Sequence, residues 1–226
     1  MIGFTPAAGW YLVLLGVGLG LAALAMTGYS WVSPRWLRLT LLVAGLLVSA
    51  RYLVMAHLSL SPVGQALGPL DRLWLGSSIG LTWPGVVAID QLIRHPAMTP
   101  ERLLKSFSPF LLVYTLVMVA GPMDLRADPL IGVSPHLLGW ARILLIVTQS
   151  AFVALLMWFT MQVMRKVPAS RTRTAVFGLM GGYLALAVDG VIRSTGLWYV
   201  RPFLFSEFLL LLALWFAFDT ARHHPL

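Results

Sequence analysis

Residues 202–218 read PFLFSEFLLLLALWFAF, with a single charge, Glu207. Crossing about 30 Å of hydrocarbon takes roughly 17–25 mostly apolar residues at about 1.5 Å of rise each. The run Leu209-Leu210-Leu211-Leu212-Ala213-Leu214 does not alternate with polar residues, as a lipid-facing barrel strand must. A helix satisfies its own backbone inside lipid, so residues 202–218 predict a membrane helix.

Six further stretches have the same character, giving seven spans at about 10–28, 39–58, 73–93, 107–121, 138–164, 174–192 and 202–218. The fourth is the shortest. Composition agrees: 59% of the 226 residues are hydrophobic and 11% are charged, against about 25% charged in an average soluble domain. The expected fold class is an all-α integral membrane protein, a seven-transmembrane-helix bundle forming one domain over residues 1–226. The first span has no positive residue before it and a long apolar run, so it reads as a true span and not a cleaved signal peptide. No cysteine is present, which excludes disulfides, thiolate metal sites and cysteine nucleophiles.

The charges set the orientation. With the N-terminus outside, the inner segments carry Arg35, Arg38, Arg94, Arg102, Lys105, Arg165, Lys166, Arg171, Arg173 and Arg222. The outer segments carry Arg72, Arg126, Arg142, Arg193 and Arg201. This two-to-one excess places the C-terminus in the cytoplasm. The net charge of +8 therefore reads as topology, and no nucleic-acid partner is expected. The expected surroundings are membrane lipids in the bacterial cytoplasmic (inner) membrane. Trp10, Tyr11, Trp74, Trp140, Trp198 and Tyr199 fall at the outer boundary, and Tyr29, Trp31 and Trp36 at the inner one, where amphipathic rings collect. Trp83 and Trp158 lie deeper and read as packing residues.

The loops at 59–71 and 122–135 are turn-rich and are expected to cover the outer mouth of the bundle. Arg72 to Asp90 and Arg201 to Asp219 are both 18 residues apart, and both spans end in a charged, His-Pro-containing tail. That match suggests a 3+1+3 helix repeat, with the fourth span as linker. Any two outward-to-inward helices also carry boundary charges, so the simpler explanation stays open. Gly16 with Gly20, and Gly178, Gly181 and Gly182, predict close helix contacts. Tyr114, Gln149 and Tyr183 predict interhelical hydrogen bonds. Pro84 predicts a kink in the third span.

Charges inside spans are costly and face the bundle interior or pair there. Asp90 with Arg94, and Asp219 with Arg222, read as depth-locking pairs at the inner boundary. The outer half gathers the candidate ligand-binding residues Arg51, Arg142, Asp189, Arg193, Glu207 and His57. The expectation is a network in which three arginines face two carboxylates, leaving a spare guanidinium suited to a carboxylate or phosphate. A closed structural network, or contact with lipid head groups, explains the same residues. Glu207 or Asp189 is also a candidate proton carrier, burial and a neighbouring arginine pulling the carboxyl in opposite senses.

Known chemistries are sparse. The seven-span, N-out order resembles microbial rhodopsins in architecture alone. Retinal attachment requires a lysine in the last span, and the two lysines, Lys105 and Lys166, lie in loops. Bis-His haem ligation is not expected, and neither a cofactor nor a metal site is predicted. Gly76-Ser77-Ser78-Ile79-Gly80 matches a nucleophile-elbow pattern, but inside a span it reads as helix packing. The expected function is capture of a small anionic or amphipathic ligand in the outer half, as carrier or receptor. The alternatives are a non-catalytic subunit with partner membrane subunits, and a lipid-modifying enzyme using His57 or Glu207.

Overall fold

The computed structural model describes residues 6–61, 68–93, 99–128, 132–164, 170–195 and 204–223. Helices dominate, and the apolar ones mark an integral membrane protein. The order is α1 (Pro6–Tyr29), α2 (Arg35–Leu60), a 3₁₀ segment (Leu70–Leu75), α3 (Gly76–Gly80), α4 (Thr82–Ile93), α5 (Pro100–Ala120), strands β1 (Met123–Asp128) and β2 (Gly132–Leu137), then α6 (Gly139–Met164), α7 (Arg171–Thr195) and α8 (Leu204–His223). Among the described residues, five helices are long and apolar enough to cross a membrane: α1, α2, α5, α6 and α8.

α8 is the most deeply buried of these five. It is apolar on every side, as a helix enclosed by others must be, and it packs on α1, α4 and α7. α2 shows how a buried face is written. Leu37, Leu41, Ala44, Gly45, Val48, Arg51, Tyr52, Met55 and Leu58 are buried at helical spacing. Arg51 sits inside an otherwise apolar or aromatic stripe.

The third span departs from expectation. It is a 3₁₀ segment and two short helices, broken at Leu81. Pro84 has no N–H to complete a helical bond back toward Gly80, so the chain cannot run through as one helix. Side chains bond carbonyls around the break. Thr82 Oγ1 donates to the carbonyl of Ser78, and Tyr183 on α7 donates to that of Leu81. Gly85 leaves room for this, since a Cβ there would collide with the Tyr183 hydroxyl. Gly76 and Gly80 likewise lie on the α2 backbone, against the carbonyls of Leu47 and Ala44. The elbow-like string is thus a helix contact. The stretch that mirrors it in the suggested repeat differs, because α8 is continuous.

Other departures have local causes. The segment 122–135 is not merely a loop: β1 and β2 pair antiparallel, Met123 opposite Leu137 and Asp128 opposite Gly132. β2 packs against α2. α5 starts at Pro100, seven residues before the expected fourth span. Thr99 accepts the Arg102 N–H and Pro100 occupies the first turn, a start signal that the apolar count overlooked. Gly16 and Gly20 face open space, whereas Gly18 lies against the Tyr52 ring. Of the α7 glycines, Gly182 meets Leu210 closely, Gly178 touches Ala213 and Gly181 faces open space. Tyr11, Tyr29, Trp74 and Trp83 are buried in the bundle, whereas Trp158 is exposed. Tyr114 donates to Gln149 Oε1 at 2.9 Å, joining α5 to α6 as expected.

Candidate functional site

The site forms where α2, the 3₁₀ segment and the start of α8 meet, at the end of the bundle that carries the hairpin. Arg51 and Glu207 are 156 residues apart in sequence. Arg51 Nη2 lies 2.9 Å from Glu207 Oε1, and Arg51 Nε donates to Oε2 at 3.4 Å. The two side chains are 3% and 1% exposed, so this is a two-point guanidinium–carboxylate pair out of solvent. Arg51 Nη1 donates to the backbone carbonyl of Trp74, and the Trp74 ring lies 5.9 Å from the guanidinium carbon.

Each contact has a local origin. Arg51 follows Val48 by three positions and precedes Met55 by four, on the buried stripe of α2. Its guanidinium therefore enters the bundle rather than the lipid. Glu207 lies in the first turn of α8, where exposed N–H groups favour a negative charge. The short 3₁₀ segment brings the Trp74 carbonyl within reach of Arg51. The buried hydroxyls of Tyr52 and Tyr11 interact electrostatically with the pair. Among the described residues, Arg51 is the one buried basic side chain, and Asp71 is the one other buried acid. Asp71 is held apart by the Gly68 N–H, at 2.7 Å.

The other sequence candidates that are described are less buried than this pair. His57 is exposed. Six residues beyond Arg51, it is turned about 120° around the helix. Arg142 is exposed in the first turn of α6, and Asp189 is half-buried on α7. The side chain of Arg193 lies outside the described residues. Of the expected network, the contact between Arg51 and Glu207 is seen, a one-to-one pair of zero net charge.

Beside the pair, Arg72 Nη1 donates to the carbonyls of Gly121 at 3.0 Å and Met118 at 3.3 Å, closing the end of α5. Trp74, Leu75, Val117, Leu137 and Ala141 make a small apolar cluster that seats the hairpin on the bundle. At the far end of α8, Asp219 pairs with Arg171 of α7 at 2.8 Å and with His223 at 3.2 Å. Arg222 was the expected partner. Three residues on is one helical neighbour and four residues on another, and here the four-residue neighbour and a second helix supply the partners. Arg94, expected to pair with Asp90, lies outside the described residues.

Trp74, Tyr11 and Tyr52 were not among the site residues that the sequence suggested. Tyr52 carries a usable signal, because it sits beside Arg51 on the buried stripe. The Trp74 carbonyl carries none, since it depends on the break. Comparison with protein-family models and with curated proteins returns no match for this chain.

Proposed function

We infer that this chain binds a small anionic or amphipathic ligand in the polar centre around Arg51, as a carrier or receptor. The observation that carries this reading is the two-point hold of a carboxylate by Arg51 inside an apolar bundle. A planar guanidinium fork matches carboxylate and phosphate oxygens alike, so the geometry that holds Glu207 suits a ligand of the same chemistry. The broken third span supports it too. Interrupted helices with side-chain-held carbonyls border binding sites in many small transporters.

The finer topology belongs to the same proposal. It has seven spans, counting the broken third and α7, with the N-terminus outside, the C-terminus cytoplasmic and the site in the outer half. The suggested 3+1+3 order and the bacterial cytoplasmic membrane are part of it. A helical bundle with arginine-rich inner loops fits that membrane, whereas outer membranes hold barrels.

Binding of a panel of small carboxylates and phosphates to purified protein, and their uptake into vesicles, tests the reading. Saturable binding that is lost in Arg51→Gln is the expected result. Binding equal in that variant and the wild type removes Arg51 from the site. The subunit reading draws on the exposed apolar faces of α5 and α6, which include Leu112, Leu116, Ile143 and Val147. Co-purification of a defined partner in mild detergent supports that reading, and isolation as a lone monomer counts against it.

A further inference from the structure

We propose that Glu207 is a built-in competitor for the anion, so that the site gains one proton on Glu207 for each anion it takes on Arg51. The inference rests on the anion-binding reading above and adds to it the coupling ion.

Three of the guanidinium's contacts are already made: Nε and Nη2 to Glu207, and Nη1 to the Trp74 carbonyl. The fork that would grip a ligand carboxylate is the one that grips Glu207. An arriving anion must therefore displace it. The displaced carboxylate is 1% exposed, and among the described residues no second buried cation is present to receive it. An ionised Glu207, an anion and one guanidinium sum to −1. An unpaired charge out of water carries a penalty of several kcal/mol.

Protonation of Glu207 removes that penalty. The exchange reads: Arg51⁺·Glu207⁻ plus A⁻ plus H⁺ gives Arg51⁺·A⁻ plus Glu207–COOH. One ion pair breaks, one forms, one O–H bond forms, and the site stays neutral. The neutral carboxyl remains beside the Tyr52 hydroxyl, which interacts with it already.

The groups around Glu207 permit this. α2 presents Arg51 and Tyr52, α1 presents Tyr11, and the 3₁₀ segment presents the Trp74 carbonyl and ring. Ser206 is its buried neighbour on α8. α7 carries the half-buried Asp189, and α4 carries Asp90, bonded to Gln91 at 3.4 Å. These two acids add negative charge, and the nearby Arg72 of the 3₁₀ segment already donates to the carbonyls of Met118 and Gly121.

The test uses purified full-length protein and two probes, benzoate and inorganic phosphate, over roughly pH 5.5–8, where benzoate and an ordinary glutamate both stay ionised, so that any proton taken up is tied to the anion. In the wild type, linkage of one proton to one anion makes affinity fall about tenfold per pH unit on the alkaline side. Glu207→Gln keeps the shape and cannot ionise. It binds the probe at least as tightly as the wild type at its lowest pH, with no such pH slope for benzoate. Phosphate changes its own charge in this range, so its slope is read as the difference between wild type and variant. Arg51→Gln/Glu207→Gln binds neither probe.

Equal affinity and equal pH slope in the wild type and Glu207→Gln overturn the coupling while leaving the anion site standing. Weaker binding in Glu207→Gln also overturns it. Failure of both probes to bind Glu207→Gln removes the anion site itself. Should that variant not fold, Glu207→Asp serves instead. It retains the benzoate slope, and a flat profile in both it and the wild type overturns the proposal.

Discussion

α8 carries one acid near each end, and each acid pairs with an arginine from another helix. Glu207 meets Arg51 at 2.9 Å, and Asp219 meets Arg171 at 2.8 Å. The distances are nearly equal, but the surroundings are not. The first pair is 3% and 1% exposed, the second 46% and 28%. At the exposed end, water and salt weaken the attraction and also make its loss cheap. At the buried end, no other buried counter-charge stands beside either group among the described residues, so each is committed to the other. Similar geometry thus means a surface latch in one place and a structural commitment in the other.

Removing one member of the buried pair sharpens this contrast most. Arg51→Met leaves Glu207 buried without a counter-charge and is expected to lower stability by about 3–5 kcal/mol. Unfolding in detergent, followed by circular dichroism, measures it. A loss below about 1 kcal/mol would erase the distinction between the two ends. The double variant Arg51→Met/Glu207→Leu removes both charges and is expected to recover most of that loss. A double variant as unstable as the single would show that packing, not charge, dominates at this place.

Tyr183→Phe comes next. It deletes the donor to the Leu81 carbonyl in a dry part of the bundle and is expected to cost about 1–2 kcal/mol. A neutral effect would mean that the break holds itself. Smallest is Arg171→Ala, expected to cost at most about 1 kcal/mol, fading as salt rises. A loss that is large and salt-independent would make the two ends alike after all.

Hydropathy made the apolar helices legible, and the cost of a charge in lipid made Arg51 and Glu207 stand out. What hydropathy lacks is direction around the helix. It gives depth, so Arg142 and His57 counted with Arg51 although they face elsewhere. Azimuth was available from the stripe around Arg51, where Val48, Tyr52 and Met55 mark the inward face. The break at Leu81 was half legible. Pro84 announced a disturbance, but its position depends on Thr82 and on a tyrosine about a hundred residues away. The hairpin was hidden because its turn-forming residues resemble those of any loop, and its pairing is stabilised by tertiary contact with α2.

The 156-residue separation of Arg51 and Glu207 bears on how the protein is made. At about 5–20 residues per second, the ribosome reaches Glu207 about 8–30 s after Arg51. During that interval α2 holds a cation whose partner does not yet exist, and α4, too short to cross the bilayer as a separate helix, lacks the last wall it packs on. Biogenesis therefore ends with its most consequential step, when α8 arrives and converts a tethered, charge-bearing chain into a closed bundle. A chain arrested before residue 204 would expose that unfinished state to membrane quality control.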